Sequence, residues 1–339
     1  MHETNTPHQS PVAISMGCPA GIGPEILCRL FASAPDAVAD SVVLGDLGTL
    51  QQAAALLGLS LPMVPWNPGE PLTPGTMPVL QVGEPFELPI VWGRPTLATG
   101  RAMGGYIEKA VELILQGACS GLTTCPISKK SLQDAGYTYP GHTEMLAALT
   151  KSSTVRMMMA GPKLRVVLVT IHVALNQVSG LLNQKEIIDC LETTCHSLQR
   201  DFGLARPRIA VAALNPHAGE EGLFGDEEIR IIQPAMDHAN IEAELSGPWP
   251  PDTLFHKAAS GQYDAVICMY HDQGLIPFKL LHFEDGVNVT LGLPIVRTSV
   301  DHGTAYDIAG TNQADPSSLQ AALSMAHSIV ANRLCWRQP

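Results

Sequence analysis

The stretch Val12-Ala13-Ile14-Ser15-Met16-Gly17-Cys18-Pro19-Ala20-Gly21-Ile22-Gly23-Pro24-Glu25 decides the fold class. Its first five residues show little polar alternation, as expected of a strand covered on both faces. The glycines that follow permit a sharp turn, and Pro24 suits the first position of a helix. Strand, turn and helix in that order open a β-α-β unit, and the same alternation continues outward along the chain. Further strand candidates are 41–45, 165–171, 208–214, 264–270 and 287–291. Between them, 47–57, 103–115, 185–201, 227–238 and 317–332 place apolar residues at three- and four-residue steps, the helical period. The pattern predicts an α/β protein with a largely parallel sheet. The segment 62–95, dense in Pro and Gly, reads as an irregular connection or a region of short strands, with Trp66 and Trp92 as packing anchors. Domain crossings are expected near 124–126 and 282–286.

The composition narrows the function. The chain has 339 residues, 20 Lys+Arg and 32 Asp+Glu, for a formal net charge of −12. Phosphate backbones are bound by clustered cations, so this balance argues against a nucleic-acid partner. A few local cations still suffice for one small phosphate. No uncharged apolar run approaches the roughly 18 residues that spanning a bilayer requires, and the acidic first residues do not form a secretory signal. The eight cysteines are scattered, without a Cys-x-x-Cys pair. They read as buried or incidental thiols, and the expected location is cytoplasmic.

Three histidines stand in one context: His172, His217 and His271 each follow a strand candidate. In an open parallel sheet, ligands bind at the carboxyl ends of the strands. Any one imidazole there could simply cap its strand. Three from separate strands favour convergence on one divalent metal ion. The glycine turn 17–25 reads equally as a tight turn or as a loop bringing backbone amides to a ligand, and it departs from the Gly-x-Gly-x-x-Gly dinucleotide pattern. Lys129-Lys130 reads as a solvated helix start, although lysine, His142 and Thr143 are groups that hold phosphate or carboxylate oxygens. Lys279 and Arg297 stand in apolar or glycine-rich surroundings. They point into a site, where an anionic ligand pairs them, or they snorkel to the surface. His2, His8, His196, His238, His256, His282 and His327 are assigned to packing, tail or surface positions, and Met157-Met158-Met159 to the core.

Several long strings carry a resemblance: 19–25 (PAGIGPE), 139–144 (YPGHTE), 214–220 (LNPHAGE), 270–274 (YHDQG), 286–294 (GVNVTLGLP) and 297–304 (RTSVDHGT). Together they are similar to the 4-hydroxythreonine-4-phosphate dehydrogenase family over nearly the whole chain after the first ten residues. The resemblance implies an isocitrate/isopropylmalate dehydrogenase-like fold, with two α/β domains around a central cleft. The first domain would comprise 1–125 and 286–339, the second 126–285. It further implies a homodimer with its active site at the subunit interface and NAD- or NADP-dependent oxidation in vitamin B6 biosynthesis. By position, the implied metal ligands are His172, His217 and His271, with His271 supplied by the partner subunit. The implied substrate contacts are His142, Thr143, Lys279, Asn288 and Arg297. The ion would be zinc, cobalt, manganese or magnesium. Cys18 stands where many members have an acid. Cys125-Pro126-Ile127-Ser128-Lys129 replaces a common Gly-Pro-x-x-Lys string and also resembles relatives acting on D-threonate or D-erythronate 4-phosphate.

The expected reaction is oxidation of 4-phosphooxy-L-threonine followed by decarboxylation of the β-keto acid. A divalent ion would ionise the alcohol, and Asp252 and Asp272 would transfer protons or orient a ligand histidine. The alternatives are a sugar-acid 4-phosphate dehydrogenase and a non-catalytic protein that binds phosphorylated metabolites.

Overall fold

The computed structural model describes residues 10–336, so His2 and His8 lie outside the described residues. β1 (Val12–Ser15) is buried along its whole length, as the missing polar alternation requires. α1 (Gly23–Ser33), β2 (Ser41–Gly45) and α2 (Leu47–Leu56) follow. Asp46 ends the turn after β2 and caps α2 by accepting from Thr49 N at 2.7 Å. The Pro- and Gly-rich stretch holds two short strands, β3 (Met63–Pro65) and β4 (Met77–Gln81). α3 (Leu97–Leu115) begins at a reciprocal cap between Thr96 and Thr99. β5 (Gly121–Thr124), α4 (Lys129–Asp134) and α5 (His142–Thr150) complete this part of the chain.

Next come β6 (Arg156–Ala160), β7 (Arg165–Leu168), α6 (Val178–Leu181), α7 (Gln184–Phe202), β8 (Arg208–Ala212), α8 (Gln233–His238), β9 (Glu244–Trp249), α9 (Pro251–Ala259), β10 (Ala265–Cys268), α10 (His271–Leu281) and β11 (Val287–Leu291). β12 (Arg297–Val300) and α11 (Ser317–Trp336) end the described chain.

Two compact units result. The first contains residues 10–151 with Pro294–His327, the second Ser152–Leu293 with 328–336. The divisions fall at 151/152, 293/294 and 327/328. Residues 126–151 stay with the first unit because α4 and α5 pack on α3. β11 stays with the second because it pairs with β6. Residues from 328 onward join the second unit, where Arg333 Nε donates to buried Asp201 Oδ1 at 2.7 Å.

In the first unit the strands run β3-β4-β2-β1-β5-β12, with every neighbouring pair parallel. In the second they run β11-β6-β7-β10-β8-β9. There β7, β10, β8 and β9 are parallel, while β6 runs antiparallel to both β11 and β7. The second core packs Val166, Leu168, Val266 and Ala210 of the sheet against Leu275 and Phe278 of α10. Met158 and Met159 are wholly buried in β6, so the methionine run is core. Trp66 is buried, and Trp92 packs so closely on Gly310 that a Cβ there would lie 2.5 Å from its ring. The expected helix 227–238 begins as a π-helical turn, Glu228–Ile232, before α8. Among the described residues, no helix is long and apolar enough to cross a membrane.

Candidate active site

β7, β10 and β8 are adjacent and parallel, with Val167 opposite Ile267 and Ile267 opposite Val211. His172, His271 and His217 lie four to six residues beyond that level, at the carboxyl ends of three neighbouring strands. The strand-end placement read from the sequence thus holds, on strands that are also neighbours. Side-chain hydrogen bonds keep the ends together. Thr170 Oγ1 donates to Met269 O at 2.7 Å. Buried Gln273 accepts from Met269 N at 2.7 Å and donates to Ala213 O at 2.6 Å, tying the end of β10 to that of β8.

The rings of His172 and His271 stand 5.8 Å apart, centroid to centroid, within one chain. His271 therefore has a neighbouring imidazole on its own chain. Asp272 Oδ1 lies 2.7 Å from His271 Nδ1. An ionised carboxylate only accepts, so it places the ring proton on Nδ1 and leaves the Nε2 lone pair for a ligand. This donor chemistry fits a divalent ion.

His217 is held differently. It opens a turn in which residues 217–221 all take left-handed backbone angles, with φ of 52, 57, 77, 44 and 55°. Left-handed geometry costs roughly 1–2 kcal/mol for each non-glycine residue, so something must hold it. Buried Glu228 does: its Oε1 accepts from Leu214 N and Asn215 N, both at 2.8 Å, and Oε2 accepts from Asn215 Nδ2 at 3.0 Å. In this arrangement no group of three His, Cys, Asp or Glu side chains is close enough to hold a metal ion among the described residues. His172 and His271 come together; His217 shares their sheet edge without closing on them.

The remaining second-unit candidates are spread out. Lys279 lies two turns along α10 from Asp272, on the same helix face, with Nζ 5.5 Å from the Phe283 ring centroid. Asn288 sits on β11, its Oδ1 buried without a hydrogen-bond partner. Asp252 is exposed in the first turn of α9, which packs against the His217 turn.

The first unit gathers a separate group. Arg297 is buried at the start of β12, and its Nη2 donates to Thr124 Oγ1 at 2.9 Å. Burial lowers its guanidinium to about 10, with Glu144 pulling the other way. A buried position thus replaces the surface alternative for this residue. His142 and Thr143 open α5 behind Gly141, which offers no capping side chain. His142 Nε2 is buried and has no hydrogen-bond partner. Burial, followed by the charges of Arg297 and Lys129, holds this imidazole neutral well below its ordinary range. Lys129 is exposed at the start of α4, as read from the sequence, with its Cε 3.5 Å from the point that a Cβ on Gly141 would occupy. The overlooked signal was the pair of helix starts, Ser128-Lys129 and Gly141-His142, brought together only in the fold.

The glycine turn is resolved as packing. Gly17 has φ +72°, and a Cβ there would sit 2.4 Å from Pro126 O; one on Gly23 would sit 2.1 Å from Met16 O. The first turn of α1 contains fully buried Glu25, which accepts from Gly310 N. A buried carboxylate in this first turn disfavours a second anion beside it. Cys18, within it, lies 3.2 Å from Tyr306 Oη; burial raises the thiol and pushes the phenol up to about 12. The histidines assigned to packing include His282, buried between Asp285 at 2.9 Å and Lys163 N at 3.2 Å. A cavity of about 900 Å³ borders Trp66, Pro74 and Asp40 in the first unit, and no candidate residue lines it.

Sheet order and strand-end histidines define an α/β protein with its polar groups gathered at carboxyl strand ends. The chain belongs to the family described as pyridoxal phosphate biosynthetic protein PdxA, whose model matches residues 37–326. It is 55% identical, over 93% of its length and 94% of the relative's, to 4-hydroxythreonine-4-phosphate dehydrogenase of Desulfosudis oleivorans. A solved 4-hydroxythreonine-4-phosphate dehydrogenase from Klebsiella pneumoniae matches with a TM-score of 0.87 and 41% identity, covering 95% of this chain and 99% of that one. A terephthalate 1,2-cis-dihydrodiol dehydrogenase from Burkholderia xenovorans matches at a TM-score of 0.64 and 27% identity, covering 94% and 98%.

Proposed function

We propose that the protein is a 4-hydroxythreonine-4-phosphate dehydrogenase. It takes a hydride from C3 of 4-phosphooxy-L-threonine to NAD or NADP and the hydroxyl proton to water. The product, 2-amino-3-oxo-4-(phosphooxy)butanoate, then loses CO2 and gains a proton, giving 3-amino-2-oxopropyl phosphate on the route to pyridoxal phosphate. The observation that carries the reading is the facing His172–His271 pair, braced by Asp272, in a chain 55% identical to a relative of that name.

His172 and His271 would hold a divalent ion (zinc, magnesium or cobalt), with His217 approaching from the next strand end. An ion there supplies Lewis acidity that eases ionisation of an alcohol. The chain's own groups do the rest. Asp272 fixes the tautomer of His271 and so acts as a positioning residue. Arg297, His142 and Thr143 receive the anionic end of the substrate, and Lys279 and Asn288 supply further donors. Asp252 is the exposed carboxylate available for proton transfer. The working form is a homodimer with its active site at the subunit interface. Ile276, Leu280 and Phe283 support it: the first two lie one turn apart on α10 and the third just past its end, with Leu280 85% and Phe283 78% exposed. Bare apolar ridges of this kind mark association surfaces.

Reduction of NAD and NADP at 340 nm, with 4-phosphooxy-L-threonine as substrate, tests the reading. We expect turnover that falls to background after exhaustive chelation and returns with added zinc, cobalt or magnesium. Turnover unaffected by metal stripping would remove the ion from the mechanism. Activity on D-threonate or D-erythronate 4-phosphate alone would reassign the substrate.

A further inference from the structure

One run of hydrogen bonds joins the backbone that carries His271 to the backbone that carries His217. Gln273, two residues past His271, donates to Ala213 O at 2.6 Å. The next two amides, Leu214 N and Asn215 N, both donate to Glu228 Oε1 at 2.8 Å. Glu228 Oε2 accepts from Asn215 Nδ2 at 3.0 Å, and the same nitrogen donates to Glu227 Oε2 at 2.7 Å. His217 follows two residues later. The carboxylate also fills the inside of the left-handed turn: a Cβ on Gly219, with φ +77°, would lie 2.8 Å from Glu228 Oε2. Glu228 is 3% exposed and opens the π-helical turn Glu228–Ile232, a distortion that recurs at functional sites.

We infer that Glu228 is a positioning residue for the metal site: through Asn215 and the 217–221 turn it fixes where the His217 ring can reach. The inference rests on the function proposed above, in which His217 joins His172 and His271 around a divalent ion. Asp272 orients the His271 ring by direct contact, whereas His217 is exposed and its backbone decides its reach. That backbone is unfavourable for residues with side chains and persists only where the surroundings over-determine it. A buried carboxylate is unfavourable too, unless charge-assisted hydrogen bonds compensate it. Here each offsets the other: the turn aims two N–H groups and an amide at the carboxylate, and the carboxylate holds the turn. An amide cannot replace it. Glutamine would keep one oxygen for the two backbone N–H groups but turn an NH2 toward Asn215 Nδ2, donor against donor.

Calorimetric titration of the full-length, metal-stripped protein with zinc, and the visible absorption of its cobalt form, test the inference. Glu228→Gln is expected to weaken zinc binding by about 10- to 100-fold, the usual effect of removing a group that orients a ligand. Its cobalt spectrum should move toward that of His217→Ala. Because Glu228 acts through His217, the double variant Glu228→Gln with His217→Ala should bind zinc within about twofold of His217→Ala alone. Asn215→Ala, which cuts the side-chain link and leaves the two backbone bonds to Glu228, should show the same non-additivity and serves if Glu228→Gln does not fold. Unchanged zinc affinity in the single variants, or losses that simply add in the double variant, would overturn the inference while leaving the proposed function standing. A wild type that binds no zinc or cobalt, or a His217→Ala variant that binds them as tightly as wild type, would instead overturn the metal reading and this inference with it.

Discussion

His142 is neutral in the fold because burial, Arg297 and Lys129 all oppose a proton on its ring. Unfolding returns the ring to water and to its ordinary value of 6.5. The folded value lies below the unfolded one, so below pH 6.5 the unfolded chain binds more protons and stability is lost as pH falls. The slope for one such group approaches about 1.4 kcal/mol per pH unit. Urea unfolding between pH 7.5 and 5.5 should show wild type losing stability relative to His142→Gln; parallel curves would contradict a buried neutral ring. His142, Thr143 and Arg297 were legible as polar groups set in unusual strings. Their grouping was not, because Arg297 joins this unit only through the parallel pairing of β5 and β12.

Gln273 does at the scale of elements what no single histidine can do. Its amide joins the end of β10 to the end of β8 and fixes where α10, and thus His271, begins. Gln273→Met keeps the volume but leaves Met269 N and Ala213 O buried without these partners, a cost of about 1–3 kcal/mol for each group. We expect a lower urea midpoint at unchanged m-value, together with weaker metal retention on dialysis against a chelator. A variant as stable as wild type would remove the brace from the argument. Strands rich in Val and Ile were readable because burial on both faces leaves an unbroken apolar run. β5, β9 and β12 were not. Gly121-Leu122-Thr123-Thr124 and Arg297-Thr298-Ser299-Val300 are wholly buried yet mostly polar, their hydroxyls satisfied internally, as with Thr123 and Thr298 at 3.0 Å. The antiparallel insertion of β6 beside β11 likewise leaves no trace in residue pattern, since pairing direction does not alter alternation.

For the whole molecule, the acidic balance and the bare ridge on α10 make opposite demands. Net charge keeps copies apart, whereas Ile276, Leu280 and Phe283 leave apolar area in water beside His271. Leu280→Asp with Phe283→Asp should convert a dimer to monomers by light scattering coupled to size exclusion, and activity should fall with it. A monomeric wild type would refute the dimer outright. Length and resemblance suggested two domains; where one unit gives way to the other is not written in residue pattern. It depends on which sheet or helix each segment pairs with, as when β11 chooses β6 and Arg333 reaches Asp201.

The mirror-handed turn at 217–221 has one further implication. Four of its five positions carry side chains on a backbone that glycine would adopt without penalty. A chain under selection for thermostability alone would drift toward glycine there. An imidazole and two carboxylates stand there instead, so the torsion angles single out this corner as one where something other than stability sets the residues.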